Sequence, residues 1–191
     1  MGCSKECACN DSLPSKSLFS SIDMDKVCAI NEKVKGSCVN ILSKSASIRD
    51  IDMATSAHSN DATGLVVKIP FVCKVSLCRI EICTSFKKME LFVNNQYVTL
   101  SYKSKTKEEY MLPGSRHIIP IVIPAYKHKS VDTLTLRLTE CDGAGYLAYL
   151  CVCGIVTGAL PKAVDATYEL YALPENVKKK TPQEGANARI E

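Results

Sequence analysis

Between residues 65 and 156 the chain is a succession of short apolar stretches separated by turn-forming residues, and this pattern limits the fold more than any other feature. In the clearest stretch, Thr133 to Thr139, leucines alternate with polar residues, as in a β-strand whose successive side chains point to opposite faces. Another, Tyr146 to Val156, is apolar on both faces, which is typical of a central strand covered on both sides. About eight such strands without helical patterns between them predict an all-β fold, a β-sandwich or jelly roll.

The remaining predicted strands are shorter or less regular. They are Leu65 to Ile69, which stops at Pro70; Val75 to Cys83; Met89 to Val93 and Tyr97 to Tyr102, joined as a hairpin by Asn94-Asn95-Gln96; His117 to Ile123; and Thr167 to Tyr171. Residues 34–63 are rich in Ser, Asn, Asp and Thr, which predicts a long surface connection.

One short helix is predicted near the N-terminus, from Ser21 to Ile30. Asp23 is placed to cap its first turn by accepting hydrogen bonds from backbone N–H groups. Met24 and Val27 then fall on one face, with a spacing that lets the helix pack against the sandwich.

The chain of 191 residues is predicted to be one domain between two flexible ends. We expect a polar, cysteine-containing arm at residues 1–16, the sandwich at 17–174, and a basic and polar tail at 175–191. With 24 Lys and Arg against 20 Asp and Glu, and no Trp, the composition indicates no nucleic-acid partner. No stretch reaches the roughly 18 apolar residues of a membrane span.

Cysteine is unusually frequent, at 11 residues. The odd count, and a polar start without the apolar core of a signal peptide, argue against the disulfide framework of a secreted protein. We therefore expect free thiols in a reducing compartment, the cytoplasm, with the nucleus or a cilium as alternatives. Cys151 and Cys153 are assigned to the apolar core, with metal ligation or a strained disulfide as the alternatives.

The polar arm carries two further candidate sites. Cys3, Cys7 and Cys9 are candidate metal ligands, but a structural zinc ion takes four ligands, so a solvated thiol cluster is favoured. Gly2 and Cys3 are candidates for myristoylation and palmitoylation, although Glu6 stands where that pattern prefers Ser or Thr. We expect a membrane partner only if the arm is acylated, since two acyl chains anchor stably.

No pattern indicates an enzyme or a cofactor. His58, His117 and His128 are far apart in sequence, and none belongs to a recognisable nucleophile motif. The chain has no phosphate-binding loop, no dinucleotide-binding glycine motif and no helical zinc-protease motif. We therefore expect no catalytic residue, no metal and no cofactor.

Three stretches of the sequence resemble the PITH domain, the module named for proteasome-interacting thioredoxin-like proteins. Residues 18–32 are similar to the opening of the family, Leu65 to Phe71 to its Ile-Pro-Phe strand, and residues 154–178 to its closing motif. The positions that carry the resemblance are Asp23, Asn31, Ile69, Pro70, Phe71, Gly154, Tyr168, Glu169 and Pro174. The sequence departs from the family at Asn176-Val177, where an Asp-His pair is usual.

The resemblance implies a galactose-binding-like jelly roll that acts as a non-enzymatic protein-interaction module, with the proteasome as partner. The motif positions would then be structural or partner-binding. Some members of the family carry a thioredoxin domain, whose chemistry needs two cysteines in a Cys-x-x-Cys spacing. That spacing does not occur in this chain.

Two other functions remain open at this point. One is a scaffold role in a larger assembly, such as a cytoskeletal or ciliary (axonemal) complex. The other is small-ligand or carbohydrate binding by loops at one end of the jelly roll, around Asn94-Asn95, Lys103 to Glu109 and Tyr126 to Ser130. The small number of aromatic residues in these loops disfavours the second.

Overall fold

The computed structural model describes residues 16–47, 51, 53–103, 108–124 and 126–159. Within these residues the strands are β1 (Lys16–Ser17), β2 (Cys28–Ile30), β3 (Ala57–His58), β4 (Leu65–Thr84), β5 (Lys88–Val93), β6 (Glu108–Met111), β7 (Ile119–Val122), β8 (Val131–Thr139) and β9 (Tyr146–Ala159). One α-helix, α1 (Ser37–Ser47), lies between β2 and β3. The predicted jelly roll is confirmed: the fold is an antiparallel β structure with one short helix.

Strand β4 belongs to both layers of the sandwich. Its first part, Leu65 to Pro70, pairs with β8 on one side, and part of it pairs with β2 on the other. Its second part, Val75 to Thr84, pairs with β9 and β7. The register shifts between Pro70 and Val75, where the main partner of β4 changes from β8 to β9. Strands β5 and β6 extend the first layer beyond β8, while β1 and β3 lie on the outer edge of β9.

The alternating pattern of β8 places its leucines in the core, as predicted. Leu134, Leu136 and Leu138 are fully buried, and each contributes about 1.5–3 kcal/mol of hydrophobic stabilisation. The opposite face is also buried, at Thr135 and Arg137. A second apolar cluster, formed around Val66, Phe92 and Val98, covers that face.

The predicted helix at Ser21 to Ile30 is wrong. Asp23 makes no capping hydrogen bond; its carboxylate accepts from Lys26 Nζ at 2.7 Å. The backbone of this segment bonds to β4 instead, with Asp23 N donating to Pro70 O at 2.9 Å. Two 3-10 turns (Phe19–Ser21 and Met24–Lys26) and β2 replace the helix, and the actual helix lies in the predicted surface connection.

Two strand predictions are also corrected. The strand that begins at Leu65 does not end at Pro70 but continues through the bend to Thr84. Tyr97 to Tyr102 forms no strand, and β5 pairs instead with β6 and β8. The segment instead packs over the buried Arg137 side chain. Arg137 Nη1 donates to the backbone oxygens of Thr99, Leu100 and Tyr102.

Several predicted features lie outside the described residues: the arm with Gly2, Cys3, Cys7 and Cys9, the strand Thr167 to Tyr171, the motif positions Tyr168, Glu169 and Pro174, and the tail. The described residues contain no helix with the length and apolar character needed to cross a membrane.

Candidate interaction site

The motif positions near the start of the chain converge on one strip of the sandwich. The N-terminal segment (residues 16–32) runs antiparallel to β9 and then along β4, starting with Lys16 opposite Gly154. Leu18 N donates to Val152 O at 2.8 Å, and Ile22 forms a bridge with Phe71. Residues that are far apart in sequence therefore meet under this segment.

The Ile69-Pro70-Phe71 motif lies at the edge of the core. Ile69 and Phe71 are buried in the core, while Pro70 is half-buried and its oxygen accepts the hydrogen bond from Asp23 N. Since β4 bends directly after Pro70, the motif positions both the bend and the N-terminal segment. Asp23 and Pro70 act here through their backbones, so their side-chain chemistry is not required for the contact.

Gly154 is required by a close approach between strands. A Cβ atom at this position would lie 2.1 Å from Ser76 O and 2.9 Å from Leu18 Cδ1. The Leu18 side chain could move away, but the Ser76 backbone oxygen could not without shifting β4, so the position favours glycine.

Asn31 closes a loop through both its backbone and its side chain. Its φ of 72° lies in the left-handed region, which asparagine tolerates better than most residues. Its Nδ2 donates to Gly64 O at 2.7 Å and to Asp61 Oδ1 at 2.8 Å. Hydrogen bonds from Thr63 and then Asn31 lower the pKa of Asp61.

Glu32, which the motif comparison did not single out, caps α1. Its carboxylate accepts from Gly36 N at 2.6 Å, Ser37 Oγ at 3.2 Å and Cys38 N at 3.3 Å. These contacts satisfy backbone N–H groups that the first turn of a helix leaves unpaired. In the sequence, the signal for this cap is the acidic residue Glu32 shortly before Gly36-Ser37.

A groove lies beside β1. It has a volume of about 470 Å³ and is lined by Lys16, Ser17, Leu18, Ser20, Ser21, Gly154, Ile155 and Val156. Ile155 and Val156 are exposed apolar residues on the part of β9 that extends past β1.

The described residues of the predicted binding loops lie at one end of the sandwich, which we call the loop end (residues 94–97, 108 and 126–130); residues 104–107 of the second loop lie outside the described residues. Asn94 Nδ2 donates to Ser130 O at 2.9 Å, and Asn94 Oδ1 accepts from Asp132 N at 2.9 Å. Glu108 contacts the third loop, at His128. The side chains of Tyr97 and Tyr126 are 86% and 76% exposed.

Glu108 is the centre of a polar network at the loop end. Its carboxylate contacts His128 Nε2 at 2.7 Å and Lys127 Nζ at 3.0 Å, and it accepts from the Tyr110 hydroxyl. Burial alone would raise the pKa of Glu108, but the hydrogen bonds from Tyr110, Lys127 and His128 outweigh it and lower the pKa. Burial and the neighbouring carboxylate raise the pKa of Tyr110.

The three histidines are not brought together. His58 packs edge-on against Tyr146, with ring centroids 6.3 Å apart, and lies 3.4 Å from Ser56 Oγ. The Ser56 hydroxyl, however, donates to Met53 O at 2.6 Å, so His58 does not receive its proton. His117 is exposed and His128 belongs to the Glu108 network.

Cys151 and Cys153 are buried, as the core assignment predicted, and their sulfur atoms lie 3.8 Å apart. The contact with the Cys153 thiol lowers the pKa of Cys151, and the Ser17 hydroxyl lowers it further. The same contact raises the pKa of Cys153. No group of three or more potential ligands is found among the described His, Cys, Asp and Glu residues.

Comparison with known proteins identifies a family. The family model described as the PITH domain matches residues 8–172. Among curated proteins, none matches the chain. Among solved structures, the chain resembles a mutant of the lectin-binding domain of lectinolysin complexed with Lewis b, with a TM-score of 0.52, 8% identity, and coverage of 74% of this chain and 99% of that one.

A second similar structure is the family 32 carbohydrate-binding module from C. perfringens NanJ in complex with galactose. Its TM-score is 0.50 at 14% identity, and the match covers 73% of this chain and 98% of that one. At these identities the likeness concerns the fold alone.

Proposed function

The chain belongs to the PITH-domain family, and on that premise we propose that it is a non-enzymatic protein-interaction module whose partner is the proteasome. The observation that carries the proposal is the family match over residues 8–172. The partner is the one that the family's name implies. A proteasome partner places the protein in the cytoplasm or the nucleus.

We assign the partner contact to the loop end. Tyrosine is among the residues that dominate binding energy at protein interfaces, because it contributes a large apolar area at low entropic cost. Tyr97 and Tyr126 present such side chains to solvent. Tyr97 N donates to Asn95 Oδ1 at 3.0 Å, and the Asn94 and Glu108 contacts hold the neighbouring loops, so the site is preorganised.

The loop end does not favour the carbohydrate alternative. Sugar recognition needs polar side chains with free hydrogen-bonding capacity, whereas the Glu108 carboxylate and the Asn94 amide are already engaged with protein groups. Likeness of fold to sugar-binding modules does not supply those groups.

The test is affinity purification of the tagged full chain from cell lysate, followed by mass spectrometry. We expect proteasome subunits to dominate, and the double variant Tyr97→Ala/Tyr126→Ala to lose about 90% or more of them, as loss of two interface tyrosines predicts. Met111→Ala is the matched control: Met111 is 74% exposed, and β6 pairs it with Lys88, at the far end of β5 from Asn94.

Two outcomes would contradict the proposal. Recovery of cytoskeletal or axonemal proteins in place of proteasome subunits would support the scaffold alternative. Equal recovery by the tyrosine variant and the wild type would reject the loop end as the contact.

A further inference from the structure

We propose that Cys151 and Cys153 form a two-thiolate site for one monovalent soft metal ion, Cu(I). The two side chains lie on the same face of β9, and their sulfur atoms are 3.8 Å apart. Both are buried, at 9% and 4% exposure. A buried pair of sulfur ligands at this separation has the chemistry of a soft-metal site.

The separation of the two sulfur atoms is nearer to that of a two-ligand ion than to that of a disulfide. With a metal–thiolate bond of about 2.3 Å, the sulfur atoms of a linear two-ligand ion lie about 4.6 Å apart, so the pair must open by about 0.8 Å from its 3.8 Å contact. A disulfide instead needs a separation of about 2.05 Å. Residues two apart in an extended strand have Cα atoms about 6.7 Å apart, near the upper limit for a disulfide.

The surroundings supply a hydrogen-bond donor. Arg79 lies opposite Cys153 in the register of β4 and β9, and its buried Nε has no hydrogen-bond partner among the described residues. The charge of Arg79 is already matched by Glu81, which pairs with Nη2 at 3.0 Å and lies opposite Cys151. Arg79 therefore offers the proposed complex an N–H donor and no net charge.

The number of ligands among the described residues indicates which metal ion the site would bind. Cys151 and Cys153 are the two ligands they supply, since no third His, Cys, Asp or Glu joins them in a ligating group. Structural zinc takes four ligands, whereas two thiolates suffice for Cu(I). The apolar neighbours Cys83, Ala148 and Tyr149 shield the pair from water. Binding releases the thiol protons: two thiols and one Cu(I) give the bis-thiolate complex and two protons.

The test uses the full chain carrying Cys3→Ser, Cys7→Ser and Cys9→Ser, because the three cysteines of the arm are potential ligands of their own. Cu(I) is titrated without oxygen in competition with a chromogenic Cu(I) chelator. We expect one tightly held ion, and X-ray absorption showing sulfur neighbours only. Adding Cys151→Ser or Cys153→Ser should weaken binding by about 100-fold or more, because a two-ligand site keeps one thiolate.

Cys83→Ser is the matched control, because Cys83 lies in the same apolar cluster but does not belong to the pair. It should bind Cu(I) as the parent does. The X-ray absorption measurement on the parent needs no substitution, so it decides the question even if a serine variant fails to fold. Undiminished binding in a folded Cys151→Ser/Cys153→Ser variant, nitrogen or oxygen neighbours in the parent, or tighter binding of Zn²⁺ than Cu(I) would each overturn the proposal.

Discussion

At the scale of single residues, the motif positions of the N-terminal segment hold the backbone in place. Asn31 combines a left-handed conformation with side-chain bonds to the Asp61–Gly64 loop. Gly154 leaves room for Ser76 and Leu18. Both effects are local, and a pair of substitutions at or near each position tests each of them separately.

For Asn31 we predict that Asn31→Ala lowers the free energy of unfolding by about 2–3 kcal/mol, since it removes the amide donor and puts alanine, which tolerates positive φ less well than asparagine, in the left-handed region. Asn31→Gly loses the same donor but tolerates the conformation, so it should be less destabilised by about 1 kcal/mol. Urea unfolding of both variants measures the difference. Equal loss in the two would show that the backbone conformation is not strained.

For Gly154 we predict that Gly154→Ala destabilises the fold by about 2 kcal/mol or more, because the new methyl group overlaps Ser76 O. Gly158→Ala is the control on the same strand: nothing lies within 4 Å of its Cβ position. That variant should match the wild type or exceed it slightly, because alanine loses less backbone entropy on folding. Thermal unfolding distinguishes them, and similar melting temperatures would refute the close-approach argument.

At the scale of elements, the outer face of β5 and β8 is organised by a buried ion pair. Arg137 Nε bonds to the Glu90 carboxylate, and the two side chains are 6% and 4% exposed. The guanidinium also lies 5.4 Å from the centre of the Phe92 ring and binds backbone oxygens of residues 99–102. One side chain thus joins two strands and the segment that covers them.

We predict that Arg137→Met costs about 3–5 kcal/mol, because it leaves the Glu90 charge buried and weakly compensated. The double variant Arg137→Met/Glu90→Leu should regain much of that loss, since an apolar pair has no charge to desolvate. A double-mutant cycle by denaturant unfolding measures the coupling. A double variant as unstable as the sum of the single ones would show that the pair is not coupled.

At the scale of the whole molecule, the Glu108 network ties β6 to the loop between β7 and β8, and so fixes the loop end. The pKa of Glu108 is lowered in the folded protein. Its contribution to stability is therefore fully present above the unfolded value of about 4.3 and is lost as the pH falls through the lower folded value.

For this network we predict that Glu108→Gln is less stable than the wild type at pH 7, and that the difference shrinks as the pH falls below about 4. Melting temperatures measured between pH 3 and pH 7 test this. Glu109→Gln is the neighbouring control, since Glu109 is not part of the network and pairs with Lys88 at 3.2 Å. A difference that stays constant with pH would contradict the role of the carboxylate charge.

The all-β class could be predicted from the sequence because a two-residue period is a local signal, and β8 shows it most clearly. The site was less predictable. That the candidate loops lie at one end follows from the jelly roll, whereas their role in binding stays a prediction. The Glu108–His128 contact joins residues whose proximity no sequence spacing encodes.

Local sequence patterns were enough to predict the fold class, the central position of β9, the burial of Cys151 and Cys153, and the family. The conformations of Ser21 to Ile30 and of the chain at Pro70 depend instead on contacts with distant parts of the chain. The helical spacing of Ser21 to Ile30 is a weak local preference, because a short helix is marginally stable on its own. Backbone hydrogen bonds between this segment and β4 outweigh that preference. A proline ends a strand where the neighbouring strand needs a backbone N–H donor, which proline lacks. Pro70 lies just before the register shift at which β4 changes partner, so the strand continues past it.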